Sequence, residues 1–354
     1  MVVTAIGIDD RNGACGVSIQ AIEVLKTSGS LTEQEDNVTS VYAVEGQSVA
    51  GALTSFVADS GRSTYILHNK IIALGLSQIE SKPLETLLDY FIRNHKGRPL
   101  VDMVVCRGEA AQLLEVPSES TAIPSEHIAR LLEEGYRWGY AVRTRMLDVE
   151  RSLSGMYDAA MPIVKIEGEG EEQRIQLDGT ALFKAGRYAG ELDADETHGL
   201  LYARGDFKKG VYVMPVPGRP EEEKITVAVQ NASTKVKIFP EGEGARYAFR
   251  IQCEAEVLEE FLPGHLTLEE IRGAEGRLEQ IIESETERAL AVSIGYGCDA
   301  AGLGRLTQKR YPDLIRGQED IWVERLKDCM FEVQASVRIT KIGAESGEAP
   351  RPVV

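Results

Sequence analysis

The segment Thr267-Leu268-Glu269-Glu270 constrains the fold more than any other stretch of the chain. A threonine followed three residues later by glutamate forms a capping box. Hydroxyl and carboxylate satisfy opposite orphan amides, so a helix starts there. Leu268, Ile271, Leu278, Ile281, Ile282, Ala289 and Val292 then recur at helical spacing, which predicts an amphipathic helix of about seven turns. On either side the period falls to two. Tyr247, Phe249, Ile251, Cys253, Ala255 and Val257 alternate with charged and polar residues, and so do Phe331, Val333, Ala335, Val337 and Ile339. Each set reads as a long strand with one buried face, and the helix is expected to lie across the sheet that they build.

The first half mixes shorter elements. Val2–Ile8 and 16–25 read as strands around the turn formers Asp9-Asp10-Arg11-Asn12-Gly13, a hairpin. Val49, Leu53 and Phe56 give one apolar face to a short helix over 46–58, and 63–75 returns to strand-like composition. Pro83 suits the first turn of a helix that ends near 95–97. Residues 101–106 read as a strand, 109–114 as a short helix, and 124–140 with 142–153 as a nearly continuous helical stretch. The fold class is α+β: mixed sheets flanked by helices in two to three domains, the last with a long amphipathic helix packed on an antiparallel sheet. The polar, glycine-bearing run after Ile166 cannot bury apolar area. The expected division is therefore 1–167 as an N-terminal domain, 168–173 as a linker and 174–343 as a C-terminal domain, open to a further split near 240–247. Residues 344–354 are expected to form a flexible tail.

With 354 residues and 43% hydrophobic content the chain can bury real cores. Its 39 basic and 56 acidic side chains leave a formal charge of −17, which repels phosphate backbones and anionic lipid, so nucleic acid is not an expected partner. No run approaches the ~20 apolar residues of a membrane helix. The start, Met1-Val2-Val3-Thr4-Ala5, carries neither a charged n-region nor an h-region. It fits a cytosolic protein or a chain that begins just past an export signal. Cys15, Cys106, Cys253, Cys298 and Cys329 follow no CxxC spacing and read as core thiols.

No metal, cofactor or catalytic residue is indicated. His68, His95, His127, His198 and His265 lack ligand spacing. The glycine pairs near 168, 242 and 295 match neither a dinucleotide fingerprint nor a P-loop, and no GxSxG elbow occurs. His68, in Tyr65-Ile66-Leu67-His68-Asn69-Lys70, reads either as a hydrogen-bonded structural residue or as part of a site.

Taken in order, several motifs resemble the Ger(x)C family, the C subunits of bacterial spore germinant receptors. They include Ala5-Ile6-Gly7-Ile8-Asp9, the spaced Gly46, Ser48 and Ala52, the His68 segment, Phe91-Ile92-Arg93-Asn94, and Cys106-Arg107-Gly108-Glu109-Ala110. The most specific block is Leu177-Asp178-Gly179-Thr180-Ala181-Leu182-Phe183-Lys184, continued by Tyr188-Ala189-Gly190-Glu191-Leu192 and Glu196-Thr197-His198-Gly199-Leu200. Asp299-Ala300-Ala301-Gly302-Leu303-Gly304, Tyr311-Pro312, Trp322 and Ile339–Gly343 complete the series. The family's lipobox cysteine has no counterpart in this sequence.

The resemblance implies a lipoprotein on the outer face of the spore inner membrane that works with the receptor A and B subunits in assembly and germination signalling. It implies no catalysis. The candidate interaction or fold-critical residues are His68, Arg93, Gly179, Phe183, Gly190, Glu191, Leu192, Glu196 and Gly199. A solute-binding module that grips the germinant itself is the second reading and a secreted hydrolase the third.

Overall fold

The computed structural model describes residues 1–22, 39–93, 98–117, 121–155, 157–317 and 321–342. The expected tail, the end of the helix after Pro83, and positions 23–25 of the second strand lie outside them. The chain divides into two compact units, Met1–Glu134 with Val142–Glu191, and Gly135–Ala141 with Leu192–Val354.

The first unit is built on β1 (Val2–Arg11), β2 (Ala14–Ile22), β3 (Thr39–Gly46), β4 (Ile71–Gly75), β5 (Asp102–Cys106), β6 (Ala159–Glu167), β7 (Arg174–Lys184) and β8 (Arg187–Leu192). They form one sheet in the order β3-β2-β1-β4-β5-β6-β7-β8. The neighbouring pairs from β1 to β6 run parallel, and antiparallel hairpins flank them. Parallel strands need covered faces, and β4 accordingly buries every residue. Ile72 and Leu74 enter one core with Leu53, Phe56 and Leu87. Ile71 and Ala73 enter a second core with Leu113 and Ile128. The turn of the first hairpin is Asn12-Gly13, both at positive φ (52° and 88°). Asn-Gly is the pair that a two-residue hairpin loop of this twist favours.

Two expectations change in this unit. The segment 168–173 connects a hairpin, because β7 pairs antiparallel with β6 from Ala159↔Phe183 to Glu167↔Arg174. The pairing draws 174–191 into the first unit, whose limit falls after Glu191. The helical stretch expected over 124–153 is broken into Pro124–Arg137 and Met146–Ser154. Between them Gly139 takes φ 81°. Thr144 O then accepts from Met103 N (2.9 Å), and Met146 N donates to Val101 O (3.0 Å), so this backbone pairs with the β5 region and leaves the helix.

The second unit holds β9 (Gly210–Pro215), β10 (Lys224–Glu241), β11 (Gly244–Phe261) and β12 (Met330–Ile342) in the order β12-β11-β10-β9. Positions 240–247 are the turn and first pairs of a continuous β10–β11 hairpin, with Gly242 at φ 59°, so no subdivision falls there. The alternating residues of β11 from Tyr247 to Val257 are all buried. The sheet is not wholly antiparallel, because β12 runs parallel to β11. Parallel neighbours require a crossover, and the long helix Leu268–Gly295 lies on that connection. Its N-cap is Thr267 with the reciprocal box to Glu270. Ile271, Leu278, Ile282 and Ala289 are buried, while Leu268, in the first turn, is 54% exposed. Among the described residues no helix is long and apolar enough to cross a membrane.

Candidate functional site

In the first unit the motifs of Asp9 and Arg107 lie toward the C-terminal ends of the parallel strands β1 and β5. Asp9, near the end of β1, is 3% exposed, and its two carboxylate oxygens accept from Ala110 N (2.7 Å) and Ala111 N (2.9 Å). Burial raises its pKa, and the two amides oppose that rise. A Cβ on Gly75 would stand 2.3 Å from Asp9 Oδ1, so glycine leaves room for the carboxylate. The motif around Gly46 is a helix start: Ser48 caps Val49–Ser60 by accepting from Gly51 N (3.1 Å), and a Cβ at Gly46 would meet Ala52 N at 2.6 Å.

Arg107, just beyond β5, joins three strands. Its Nε donates to Asp178 of β7, and its terminal nitrogens donate to both oxygens of Glu191 on β8 (2.8 and 3.3 Å). Hydrogen bonding to Glu191 is the foremost reason that its pKa is raised. Tyr188 donates its hydroxyl to Glu191 Oε1 (2.7 Å), and Lys165 reaches Asp178 Oδ1 (3.2 Å). Gly179, at φ 98°, lies where the β6–β7 register shifts. Asp178 and Gly179 together face Ile163 there, a bulge that turns the strand beside Arg107.

In the second unit Asp193 and Glu196 cap the helix Ala194–Arg204 reciprocally (2.8 and 2.9 Å), and Glu196 pairs with Arg288 of the long helix (3.4 Å). Gly199 faces the backbone of that helix at Glu285. Asp299 is 2% exposed, and its oxygens accept from Leu303 N (2.8 Å) and Gly304 N (2.7 Å). Each unit therefore anchors a helix start on one buried aspartate.

The sequence-derived candidates do not form a single site. Glu191 binds Arg107, and Gly179 follows Asp178, the other acidic partner of that arginine. Phe183 is fully buried in the first core, with Tyr188 at 6.1 Å between ring centroids. Gly190 is half-buried on β8, and Leu192 is buried at its end. Glu196 and Gly199 belong to the helix seam of the second unit. His68 and Arg93 are exposed: His68 lies in a short turn beside Tyr65 (5.7 Å between ring centroids), and Arg93 pairs with Asp89 one turn earlier (2.7 Å). The composition of 63–75 puts His68 in a strand, but Ile66–His68 is a single 3₁₀ turn before β4. Arg107, Asp9 and Asp299 tie elements together and are absent from the candidates, although each stands inside a motif that carries the resemblance.

A cavity of about 230 Å³ opens in the first unit, lined by Ile66, Ile72, Phe91 and Met146 together with Asn69, Arg98 and Glu150. Asn69 is 2% exposed, and its Oδ1 has no hydrogen-bond partner among the described residues. Asp102, whose pKa is raised chiefly by burial, lines a recess of only about 10 Å³. Burial pushes the Cys106 thiol up to about 11 and that of Cys253 up to about 12, as expected of core cysteines.

Comparison with known proteins covers almost the whole chain. Residues 1–166 match the family model of the spore germination protein N-terminal domain, and residues 178–343 match that of spore germination B3/GerAC like, C-terminal. Spore germination protein B3 of Bacillus subtilis (strain 168) is 24% identical over 317 residues, 87% of this chain and 81% of that protein. Spore germination protein KC of the same organism is 21% identical over 369 residues, 97% and 89% respectively. The crystal structure of the GerBC protein has the same fold, with a TM-score of 0.62 at 20% identity over 94% of this chain and 96% of that one. The two family models meet within the β6–β7 hairpin, ahead of the division between the compact units. With both halves matched in order, the chain belongs to the spore germination B3/GerAC-like family of germinant-receptor subunits.

Proposed function

We propose that this protein acts without catalysis, as the C subunit of a nutrient germinant receptor at the outer face of the spore inner membrane, where it supports assembly with the A and B subunits and germination signalling. The observation that carries the reading is the ordered match to both family halves. The use of the matching residues agrees with it. Asp9, Arg107, Gly179, Gly199 and Asp299 hold elements together, which leaves partner contact to exposed groups. Of the candidates, His68 and Arg93 are the ones offered to a partner.

Spores that lack the protein are expected to lose their response to the nutrients read by its receptor. Spores carrying His68→Ala with Arg93→Ala are expected to respond more slowly at normal protein level, with less A and B subunit recovered alongside. An undiminished nutrient response in the deletion strain would overturn the receptor role. A normal response and normal recovery in the double variant would remove only the two contact residues.

The cavity beside Asn69 favours a second reading, a module that grips a small solute. An unpaired amide oxygen, a guanidinium and a carboxylate at one apolar recess suit a small molecule with both donor and acceptor groups. The thermal midpoint of the isolated chain is expected to rise in millimolar amino acids or sugars and to stop doing so in Asn69→Leu. No shift with any of them rejects this second reading.

A further inference from the structure

We propose that Asp195, His198 and Glu285 form a site for a divalent transition-metal ion of the zinc class. Asp195 and His198 are three residues apart on the helix Ala194–Arg204, hence on one face. Glu285 faces them from the long helix. One ligand atom from each residue lies within 4.8 Å of the others.

His198 supplies the independent observation. It is 8% exposed, yet neither ring nitrogen has a hydrogen-bond partner among the described residues. A buried imidazole left in that state forfeits its hydration without replacement. Its Nδ1 stands 3.8 Å from Glu285 Oε2, too far for a hydrogen bond. Two ligand atoms held about 2.1 Å from a tetrahedral ion lie roughly 3.4 Å apart, so the His198–Glu285 pair is close to metal-ligand spacing and the set, within 4.8 Å, would draw in by up to about 1.4 Å.

The surroundings complete the design. Tyr212 donates to Glu285 Oε2 (3.1 Å), the oxygen that also faces His198 Nδ1, and fixes the orientation of that carboxylate, as an outer partner of a metal ligand does. The rings of Tyr140, Phe207 and Tyr212 each lie 5.9 Å from the imidazole and shield it. Asp195 is the exposed member and marks the entry side. Its present partner Arg288 (3.3 Å) also reaches Asp193 and Glu196, so Asp195 can turn to an ion without isolating the guanidinium. One nitrogen and two carboxylate donors suit zinc or cobalt and leave a fourth position for water. A bound ion would clasp the two helices across the seam made by Gly199.

The test uses the full chain, freed of metal with a chelator and titrated with Co²⁺ and then Zn²⁺. One equivalent of Co²⁺ should bind with the visible bands of a four-coordinate nitrogen and oxygen site and without a thiolate charge-transfer band, and Zn²⁺ should displace it. Asp195→Asn, a surface change that leaves the fold intact, should weaken binding about tenfold or more, and His198→Gln should abolish the bands. The thermal midpoint should rise with Zn²⁺ in the parent and not in Asp195→Asn. Absence of saturable binding overturns the proposal. So does binding that both substitutions leave unchanged, which would be adventitious attachment to the acidic surface.

Discussion

A Cβ on Gly199 would stand 2.0 Å from the carbonyl oxygen of Glu285 and 2.9 Å from the Cβ of Ala289. The helix Ala194–Arg204 and the long helix thus meet at a spacing open to glycine alone. Gly199→Ala must push them apart or bend one of them, and overpacking of this kind typically costs about 1–3 kcal/mol. Urea unfolding should show the loss. A Cβ on Gly276 of the same long helix would meet no neighbour within 4 Å, so Gly276→Ala should be neutral or gain up to about 1 kcal/mol from helix propensity. Equal effects at the two positions would mean that the seam is not tight.

Arg107 holds Glu191 through a two-pronged contact, but its side chain is 38% exposed. Solvent screens such a pair, so Arg107→Lys, which keeps the charge and loses the fork, should cost no more than about 1 kcal/mol. A double-mutant cycle with Glu191→Gln should return a coupling of the same small size. A coupling several times larger would show that the cluster around Asp178 is a dry, cooperative network.

The capping box at Thr267, the alternation of β11 and β12 and the Asn-Gly turn are legible in the sequence because each is a local rule, satisfied within a few residues. The motifs that carry the family resemblance are legible as patterns only. That Asp9 anchors Ala110 and Ala111, or that Gly199 admits Glu285, depends on partners about a hundred residues away or nearly so, and spacing along the chain carries no such information. The limit of the first unit is hidden for the same reason. The glycine-rich run 168–173 has a linker's composition, and only the pairing of β7 with β6 shows it to be a hairpin connection. The buried polar residues of the long helix, Glu285, Thr286 and Ser293, lie on the same face as Ile282 and Ala289 at three- and four-residue steps, but a polar residue type gives no hydrophobic signal of burial.

Glu270 is held down to about 2, first by hydrogen bonding to Arg219 and then by the Thr267 amide and hydroxyl. Its folded value lies below the ordinary 4.5, so its stabilising contribution is complete above that value and drains away as the pH falls toward about 2. Glu270→Gln keeps a capping-box side chain and removes the titration. Across pH 4.5 to 2 the thermal midpoint of this variant should fall less steeply than that of the parent. Parallel curves would place the acid sensitivity elsewhere.

Glu275, Glu279 and Glu283 of the long helix accept from the backbone amides of Ile339 (2.8 Å), Val337 (2.9 Å) and Ala335 (2.9 Å) on the outer edge of β12. Four helical residues advance about 6.0 Å and two strand residues about 6.6 Å, so the two ladders stay in step over this length. An uncovered edge strand is a template for pairing with another chain, and here three carboxylates occupy its donors. Hydrogen bonds to charged groups contribute about 1.5–3 kcal/mol each, less where solvent replaces the lost partner. Glu279→Ala should therefore destabilise the second unit, speed amide exchange at Val337, and favour self-association at high concentration. Replacing all three glutamates by alanine should turn the chain into a dimer or larger species by light scattering, while glutamine at the same positions keeps an acceptor and should remain close to the parent. If the triple alanine variant kept the parent's size with Val337 still protected, the edge would owe its closure to something other than these carboxylates.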